Sequence, residues 1–478
     1  MILIDAISRL AATTPHGVAL GMEGGSVTFA DLESQVRRMA GWLWREGLRP
    51  GDMAGVTVRD EHAHLVTTLA LMRQGCSQVT LPSHEPEAMR SALAGRCGVA
   101  CVICGEAGGR LPGVGALEPA FADIFADAPL GAPVPAHDAT PLLLMPSSGT
   151  TGRAKLIHCT QRQIFGYGLS HLPEPAVLYR LTSIESNIGK WSHLGNLARG
   201  RTLVFCDPDR MPLAEICRRF GVTQVNMSAV KAAALLRGLD AAGPEPAFPG
   251  IRFVLGGSPV PGALREEIMR RLSGQLYVMY GATECGLASS AGPQTHAGCP
   301  DGVGHPLPGV EIGIVDEFGA PLPAGEVGHV RIRSQVSATS YYDDPDATSK
   351  FFKDGWFHPG DLGSMTPDGM LVFSGRADDM MILNTINIFP SEIEAVAGAF
   401  PGVQSCAAFP IRSAAYGDIP LLAVVAGQGF DPAALLAHCR EKLGLRSPRK
   451  IVQVESIPRN ATGKVLRREL QARFGGNA

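Results

Sequence analysis

A stretch of nine residues contains the side chains needed to bind an oxyanion of high charge. It holds four hydroxyl groups, two glycines and a final lysine, in the order Ser147, Ser148, Gly149, Thr150, Thr151, Gly152, Arg153, Ala154 and Lys155. Glycine lets the backbone approach a phosphate closely, hydroxyl and successive N–H groups donate to its oxygens, and lysine adds a full positive charge. The apolar residues 142–145 come just before it. The sequence therefore predicts a buried strand that runs into a phosphate-binding loop, which we call the phosphate loop (residues 147–155).

The phosphate loop differs from the Walker A loop of kinases and ordinary ATPases. Gly152 is followed by Arg153 and Ala154, so the loop lacks the Gly-Lys-Ser/Thr triplet. The sequence therefore disfavours a kinase or an ordinary ATPase. Composition alone leaves one alternative open, which is a Ser/Thr/Gly turn on the protein surface.

Two later strand-like stretches also end in compact polar turns. Residues 253–255 run into Gly256, Gly257, Ser258 and Pro259, and residues 276–279 run into Tyr280, Gly281, Ala282, Thr283 and Glu284. In open α/β sheets, ligands bind where strands end in such turns. Glu284 offers the hard oxygen ligand that Mg²⁺ prefers beside phosphates.

A lysine close to the carboxyl end stands in a basic region. From Cys439 onward the chain has ten Lys and Arg against three Glu, a local charge of +7 that suits phosphorylated ligands or an acidic partner. Gly463 precedes Lys464, and a glycine at that place predicts a mobile loop. A lysine carried on such a loop can reach the negative charge of a transition state. The alternative is a solvated basic tail.

Hydrophobic periodicity predicts alternating helices and strands. Thr28 with Asp31 resembles a capping box, and apolar residues then recur at helical spacing until Gly47. Further strands are predicted over residues 53–58, 79–81, 202–206 and 224–226, and further helices over residues 62–73 and 213–220. This order is typical of a largely parallel sheet with helices on both faces.

Composition excludes several classes of protein. The chain has 478 residues, of which 45% are hydrophobic and 18% charged, as in an ordinary globular protein. Its net charge of −3 argues against a nucleic-acid-binding protein. The sequence has no apolar run of about 18 residues for a membrane span, and residues 1–12 lack the basic start of a secretory signal. We therefore expect no membrane span and a cytoplasmic location.

The eleven cysteines are expected to be reduced core residues. Cys97, Cys101 and Cys104 lie in an apolar stretch that predicts a buried strand. A second CxxC pair or paired histidines would be needed to complete a zinc site, and the sequence has neither there.

These motifs together resemble the adenylate-forming enzymes, the superfamily of acyl-CoA synthetases, peptide-synthetase adenylation domains and luciferases. The phosphate loop matches the family pattern S/T-S-G-T-T-G-x-P-K except for Ala154 in place of proline. Residues 280–284 match Tyr-Gly-x-Thr-Glu, and residues 458–464 match the lysine loop P-x-x-x-x-G-K. The resemblance covers essentially the full length, with five motifs in order. It implies an α/β fold, with a large N-terminal domain of layered, mainly parallel sheets with helices and a small mobile α+β C-terminal domain.

The resemblance also implies the domain boundary. The N-terminal adenylation core would span residues 1–377 and the C-terminal lid domain residues 378–478, with the hinge at Asp378. One departure lies just beyond the hinge, where Asn384 and Thr385 replace the glycines that open the family's tunnel for pantetheine. Side chains there could narrow the tunnel, so the departure concerns the second half-reaction and leaves the first intact.

The resemblance assigns a nucleotide site. ATP would be bound by the phosphate loop, by Gly257, Ser258 and Pro259 with Tyr280 on the two faces of adenine, and by Asp361 at the ribose with Arg376 as its cationic partner. The catalytic residues would be Lys464, Thr283 at the α-phosphate, Glu284 as the Mg²⁺ ligand, and Lys155.

The implied acyl pocket favours an aryl or medium-length acid. Its residues would be Asn187, Trp191, Val254, Gly256, Met279 and Leu287. Asn187 falls near the aspartate that grips the amino group in amino-acid activators, and an amide cannot neutralise an ammonium. An apolar wall with a glycine floor leaves depth for a ring or a medium chain rather than for acetate. The alternative is that Asn187 is a helix surface residue.

The implied activity is ATP-dependent adenylation of a carboxylic acid, which gives an acyl-AMP and pyrophosphate, followed by thioester formation. The thiol acceptor would be CoA, as in an acyl- or aryl-CoA ligase, or the phosphopantetheine of a carrier protein loaded by a stand-alone acyl-AMP ligase. An alternative of another class is a non-catalytic protein that binds a nucleotide or acyl-adenylate. The presence of both Lys464 and Glu284 speaks against it, since a mere binder needs no swinging lysine.

Overall fold

The computed structural model describes most of the chain. The described residues are 2–105, 109–127, 141–147, 155–166, 177–239, 246–299, 301–383, 386–413, 417–460 and 463–475. The predicted phosphate-binding residues Ser148, Gly149, Thr150, Thr151 and Gly152 lie outside the described residues, as do Asn384 and Thr385.

The helices are distributed along the whole chain. They are α1 Leu3–Thr13, α2 Phe29–Arg45, α3 Glu61–Gln74, α4 Glu87–Cys97, α5 Phe121–Asp127, α6 Gln161–Gly166, α7 Asn187–Leu197, α8 Leu213–Phe220, α9 Ala229–Gly238, α10 Gly262–Arg271, α11 Pro293–Gly298, α12 Pro345–Phe351, α13 Pro390–Gly398, α14 Pro432–Leu443 and α15 Arg467–Phe474.

The strands alternate with these helices in the first half of the chain and are denser in the second half. They are β1 Val18–Met22, β2 Gly25–Thr28, β3 Met53–Thr57, β4 Ser77–Thr80, β5 Cys101–Cys104, β6 Gly115–Leu117, β7 Pro141–Ser147, β8 Lys155–Thr160, β9 Val177–Arg180, β10 Thr202–Phe205, β11 Gln224–Met227, β12 Arg252–Leu255, β13 Leu276–Ala282, β14 Gly286–Ala291, β15 Gly302–Pro306, β16 Val310–Val315, β17 Gly328–Ser334, β18 Phe352–Lys353, β19 Trp356–Phe357, β20 Asp361–Met365, β21 Leu371–Arg376, β22 Met381–Leu383, β23 Ile386–Ile388, β24 Val403–Ser413, β25 Gly417–Ala426 and β26 Lys450–Gln453.

Contacts within the chain group its residues into two compact units. The first unit consists of Met1–Asn226, Thr283–Gly286 and Ser334–Gly355. The second unit consists of Met227–Ala282, Leu287–Arg333 and Trp356–Ala478.

The first unit contains mainly parallel sheets. One sheet has the order β6-β5-β3-β4-β7-β8, and all of its pairs are parallel except β7 with β8. In another part of the unit, β11, β9, β10 and β1 pair in parallel, and β2 closes the edge as an antiparallel strand. The predicted alternation of strands and helices is confirmed here.

Helix α2 shows how local sequence fixes an element of the first unit. Asp31 N donates to Thr28 Oγ1 at 3.1 Å and Thr28 N donates to Asp31 Oδ2 at 3.3 Å, so the predicted capping box is present. Leu32, Val36 and Leu43 are fully buried in the same apolar core, as their helical spacing requires.

The described strands of the second unit belong to two sheets. The larger runs in the order β19-β17-β20-β21-β15-β14-β13-β12. The smaller, at the carboxyl end, has the order β23-β22-β25-β24, and β26 pairs with β25 in parallel. Helices α13 and α14 cover one face of the smaller sheet through Ile393 and Leu435, and α15 covers the other through Leu470. The predicted class, mixed α/β with a separate C-terminal domain, is confirmed.

Two boundaries differ from the sequence prediction. Strand β13 extends through Tyr280 to Ala282, so the polar turn begins at Thr283. Cys97 ends α4 and does not join the strand with Cys101, because Gly98 adopts a left-handed φ of +63° and terminates the helix.

All eleven cysteines have free thiols. Among the described residues, every helix is too short or too polar to cross a lipid bilayer.

Candidate active site

The phosphate loop starts and ends on neighbouring strands. Ser147, the last residue of β7, lies opposite Lys155, the first residue of β8, in an antiparallel pair. Ser147 is buried, and the predicted strand before the loop is confirmed by β7. The ends of the loop are therefore fixed by the sheet of the first unit.

Lys155 and Glu284 contact the same tyrosine in the first unit. The Lys155 ammonium lies 3.7 Å from the centroid of the Phe351 ring and 5.3 Å from that of Tyr341. The Tyr341 hydroxyl donates to Glu284 Oε1 at 2.8 Å. Glu284 is 7% exposed, and Thr283 beside it is half-buried. Tyr341 thus joins two residues that the sequence assigned to one site.

Tyr341 is a residue that the sequence analysis missed. Its ring faces an ammonium and its hydroxyl reaches a carboxylate, so it orders both groups without neutralising the lysine. The sequence signal was an aromatic pair, Tyr341 and Tyr342, in the polar residues 334–350.

Asp361 is the centre of a second cluster, in the second unit. Its Oδ2 accepts a hydrogen bond from the Tyr280 hydroxyl at 2.6 Å, and its Oδ1 accepts one from Arg376 Nη1 at 3.0 Å. Asp361 and Arg376 are direct partners in the β20–β21 pair, so the sheet register sets their distance. Burial raises the pKa of Asp361, whereas Arg376 and Tyr280 both favour its charged form. The structure therefore brings together three residues of the predicted nucleotide site.

Arg376 also holds the predicted hinge residue. Its Nε donates to Asp378 Oδ1 at 3.0 Å. Burial alone would lower the pKa of Arg376, but Asp361 and Asp378 raise it above its ordinary value. One guanidinium thus bridges a buried carboxylate and an exposed one.

Lys464 lies on the Asp361 side of the second unit. Burial raises the pKa of Asp361, and the positive charge of Lys464 is one of the groups that oppose this rise by favouring the charged carboxylate. Gly463 has a φ of +85°, and a methyl group added there would lie 3.3 Å from Val230 Cγ2. The glycine before the lysine therefore permits both a left-handed backbone and a close approach to the start of α9.

The turn after β12 offers a hydrogen-bonding group. Gly257 is exposed with a φ of +84°, and Pro259 is also exposed. The Ser258 hydroxyl is buried and finds no hydrogen-bond partner among the described residues. A buried polar group of this kind is satisfied by a ligand or by water.

The predicted acyl-pocket residues fall into two groups. In the second unit, Val254 and Met279 are buried, Leu287 is half-buried, and a methyl group at Gly256 would lie 3.3 Å from Met279 O. Substitution of this glycine would therefore crowd Met279.

The other group lies on α7 of the first unit. Asn187 Nδ2 donates to Pro146 O at 2.5 Å, and Trp191 is buried with its indole nitrogen against Met145 Sδ. Helix α7 is thereby attached to strand β7, which leads into the phosphate loop.

Two glutamates that the sequence analysis left without a role hold the segment before α7. Glu61 Oε1 accepts a hydrogen bond from Ile184 N at 3.0 Å, and Glu185 Oε1 accepts one from Ser83 N at 2.8 Å. Both glutamates line a cavity of about 430 Å³. They hold the segment that leads to Asn187 and therefore fix where α7 begins.

The charge of Glu61 predicts a pH-dependent stability. Burial, with the charge of Glu185 adding to it, raises the pKa of Glu61 from 4.5 to about 7. Between these values the folded protein keeps a proton that the unfolded chain has lost, so stability falls as pH rises through this window. Glu61→Gln keeps the uncharged form. We expect its unfolding free energy to gain about 3 kcal/mol relative to wild type between about pH 4.5 and 7.

Denaturant unfolding at pH 4.5, 6 and 7.5 measures this difference. Glu87→Gln, at an exposed position at the start of α4, is the matched control and should leave the pH dependence unchanged. Parallel pH profiles for wild type and Glu61→Gln would contradict the assignment.

Comparison with known proteins identifies the family. The sequence model described as "AMP-binding enzyme" matches residues 7–342, and that described as "AMP-binding enzyme C-terminal domain" matches residues 392–464. The chain is 29% identical to a feruloyl-CoA synthase of Amycolatopsis sp, over 98% of each chain. It is 28% identical to the fatty acid–[acyl-carrier-protein] ligase ScoC of Streptomyces coeruleorubidus, over 100% of this chain and 97% of that one.

A solved structure shows the same fold. The o-succinylbenzoate CoA synthetase (MenE) of Bacillus subtilis, in complex with the acyl-adenylate intermediate OSB-AMP, superposes with a TM-score of 0.88 at 25% identity, over 98% of this chain and 97% of that one. The chain therefore belongs to the AMP-binding enzyme family and is an AMP-forming acid–thiol ligase.

Proposed function

We propose that this protein activates an aryl or medium-length carboxylic acid with ATP and transfers the acyl group to the thiol of CoA. The acid's carboxylate attacks the α-phosphorus of ATP and pyrophosphate leaves. The thiolate then attacks the carbonyl carbon of the acyl-AMP, and AMP leaves. The convergence of Tyr280 and Arg376 on Asp361, with Lys464 on the same side, is the observation that carries the proposal.

Asp361 has the capacity to bind the ribose. Tyr280 and Arg376 each use one lone pair of its carboxylate, and an ionised carboxylate has about four such positions. The remaining positions accept hydrogen bonds from two ribose hydroxyls. Gly257, Ser258 and Pro259 border one face of adenine and the Tyr280 ring the other.

The first half-reaction must bring two anions together. Lys464, Lys155 and the hydroxyl and N–H groups of the phosphate loop would supply the positive charge and hydrogen-bond donors that offset the negative charge developing in this step. Thr283 donates to the α-phosphate. The carboxylate of Glu284, held by Tyr341, fits as the protein ligand of Mg²⁺, which would neutralise charge on the phosphates.

The residues proposed for the acyl pocket favour an acid whose acyl group is uncharged and about the size of a ring. Because Asn187 uses its amide nitrogen on Pro146, its carbonyl oxygen is the group that would accept a hydrogen bond from a hydroxyl group on the substrate. Val254, Met279 and Leu287 supply apolar surface, with Gly256 leaving room beside Met279. The names of two similar proteins, feruloyl-CoA synthase and o-succinylbenzoate CoA synthetase, also indicate aryl acids.

The domain boundary and the hinge are part of the proposal. We place the adenylation core at residues 1–377 and the lid domain at residues 378–478, with Asp378 as the hinge. The rotation of the lid domain between the two half-reactions would then break the ion pair between Asp378 and Arg376.

A carrier protein is the second candidate acceptor. It is favoured by the likeness to ScoC, whose name gives an acyl-carrier protein as acceptor, and by the local charge of +7 near the carboxyl end.

The free thiols suit the cytoplasm, where cysteines stay reduced, and we propose that location.

Pyrophosphate exchange across a panel of acids tests the proposal. We expect hydroxylated aryl acids or medium-chain acids to support acid-dependent exchange, and α-amino acids to support little. The best acid is then offered with CoA and with a phosphopantetheinylated carrier protein, and the thioester is measured in each case. Strongest exchange with an α-amino acid would contradict the substrate class, and exchange with none of the acids would favour the non-catalytic alternative.

A further inference from the structure

We propose that Glu394 is a positioning residue for adenylation, because it holds Arg467, which follows the lysine loop, and attracts Arg459 within the loop. This inference rests on the proposed role of Lys464. Glu394 lies on helix α13, outside the motifs proposed to bind the nucleotide and the acid.

Glu394 holds the segment just after the lysine loop. Its Oε1 accepts a hydrogen bond from Arg467 Nη2 at 2.6 Å and another from Ala408 N at 2.9 Å. Arg467 also donates from Nε to Ala408 O at 3.0 Å and from Nη1 to Asp379 Oδ2 at 3.3 Å. The first residue of α15 is therefore fixed to α13, to β24 and to the residue after the predicted hinge.

A second arginine braces the loop before Lys464. Arg459 Nη1 donates to Gly463 O at 2.9 Å, and Arg459 and Glu394 attract each other electrostatically. The loop is closed as a hairpin, since Lys464 N donates to Asn460 Oδ1 at 2.9 Å and Leu466 N donates to Pro458 O at 2.9 Å.

Glu394, Arg459 and Arg467 form a cluster of charged side chains beside the lysine loop. The Glu394 carboxylate fixes the Arg467 guanidinium through a charge-assisted hydrogen bond, and its negative charge also attracts Arg459. If the carboxylate is made neutral, Arg467 loses its charged partner, Arg459 loses an attracting charge, and the hairpin can shift. A catalytic group displaced by about 1 Å can lose about 10²-fold in rate, so small shifts of Lys464 matter.

Glu394→Gln tests the inference, since glutamine keeps the shape of the side chain and removes its charge. Glu392→Gln is the matched control, because Glu392 lies on the same helix and faces Arg446 instead, at 4.0 Å. Two rates are measured for each variant: pyrophosphate exchange with the best acid of the panel, and thioester formation from the chemically prepared acyl-adenylate of that acid.

We expect Glu394→Gln to lower kcat of the exchange reaction at least tenfold, with KM for ATP and for the acid changed by less than about twofold. Thioester formation from the prepared acyl-adenylate should stay near the wild-type rate, because the charge stabilised by Lys464 exists only in the first half-reaction. A merely structural role would lower both rates together. Glu392→Gln should change neither.

Arg467→Lys is the second variant, in case Glu394→Gln fails to fold. It keeps the positive charge but cannot reach Glu394, Ala408 and Asp379 at once, and we expect the same selective loss of exchange. Wild-type exchange in Glu394→Gln, together with loss of exchange in Lys464→Ala, would overturn the inference and leave the proposed function standing. Wild-type exchange in Lys464→Ala would overturn the proposed function itself.

Discussion

Replacing Lys464 by alanine should lower the rate of adenylation by about 10²- to 10³-fold while the protein stays folded. Lys464 follows a glycine in a hairpin that its backbone N–H helps to close. Its positive charge favours the charged form of Asp361. In the variant, this ammonium would no longer stabilise the negative charge that the attacking carboxylate shares with the α-phosphate. Pyrophosphate exchange measures the rate, and circular dichroism with a thermal melt checks the fold.

The control for this variant is Lys450→Ala, which removes an exposed lysine of β26 in the same part of the chain. It should exchange pyrophosphate at the wild-type rate. If Lys464→Ala also did so, the catalytic assignment would be wrong.

Replacing Glu284 by glutamine should lower adenylation by about 10²-fold and raise the Mg²⁺ concentration needed for half-maximal exchange. An amide oxygen carries no charge and is a much weaker ligand for Mg²⁺ than a carboxylate. The effect is measured by pyrophosphate exchange at a series of Mg²⁺ concentrations.

Tyr341→Phe separates the charge of Glu284 from its orientation. It removes the hydroxyl that donates to Glu284 at 2.8 Å but keeps the ring that faces Lys155. We expect a loss of less than about tenfold, because the carboxylate remains. An unchanged Mg²⁺ dependence in Glu284→Gln would contradict the role of Glu284 as a metal ligand.

Elements with strong local signals could be predicted from the sequence. Helix α8 begins at Leu213 after a proline and ends at Phe220 before Gly221, whose φ is +63°, and the prediction gave the same bounds. The capping box at Thr28 and the strand before the phosphate loop were predicted in the same way. Each of these depends on residues that are neighbours in the sequence.

Contacts between distant residues could not be predicted in this way. Tyr341 meets Glu284 across 57 positions, and Arg467 meets Glu394 across 73. The spacing of hydrophobic residues and the residue types in turns carry no information on which distant side chains come into contact. The same holds for Glu61, whose raised pKa arises from burial that only the folded chain provides.

The extent of β13 illustrates a related limit. The sequence predicts that the strand ends at Met279 and that Tyr280 begins a polar turn, yet the strand continues to Ala282 and the tyrosine hydroxyl reaches Asp361 from the strand. Pairing within the sheet outweighed the local turn signal.

The most direct test of the central claim is the identity of the nucleotide that leaves the enzyme. The protein is incubated with Mg²⁺, ATP and the best acid of the panel, first without and then with CoA, and the products are separated. Release of pyrophosphate in the first case, followed by AMP and the acyl thioester in the second, is the predicted result. Release of ADP and phosphate would mean that the acid does not attack the α-phosphorus, and the account would be contradicted.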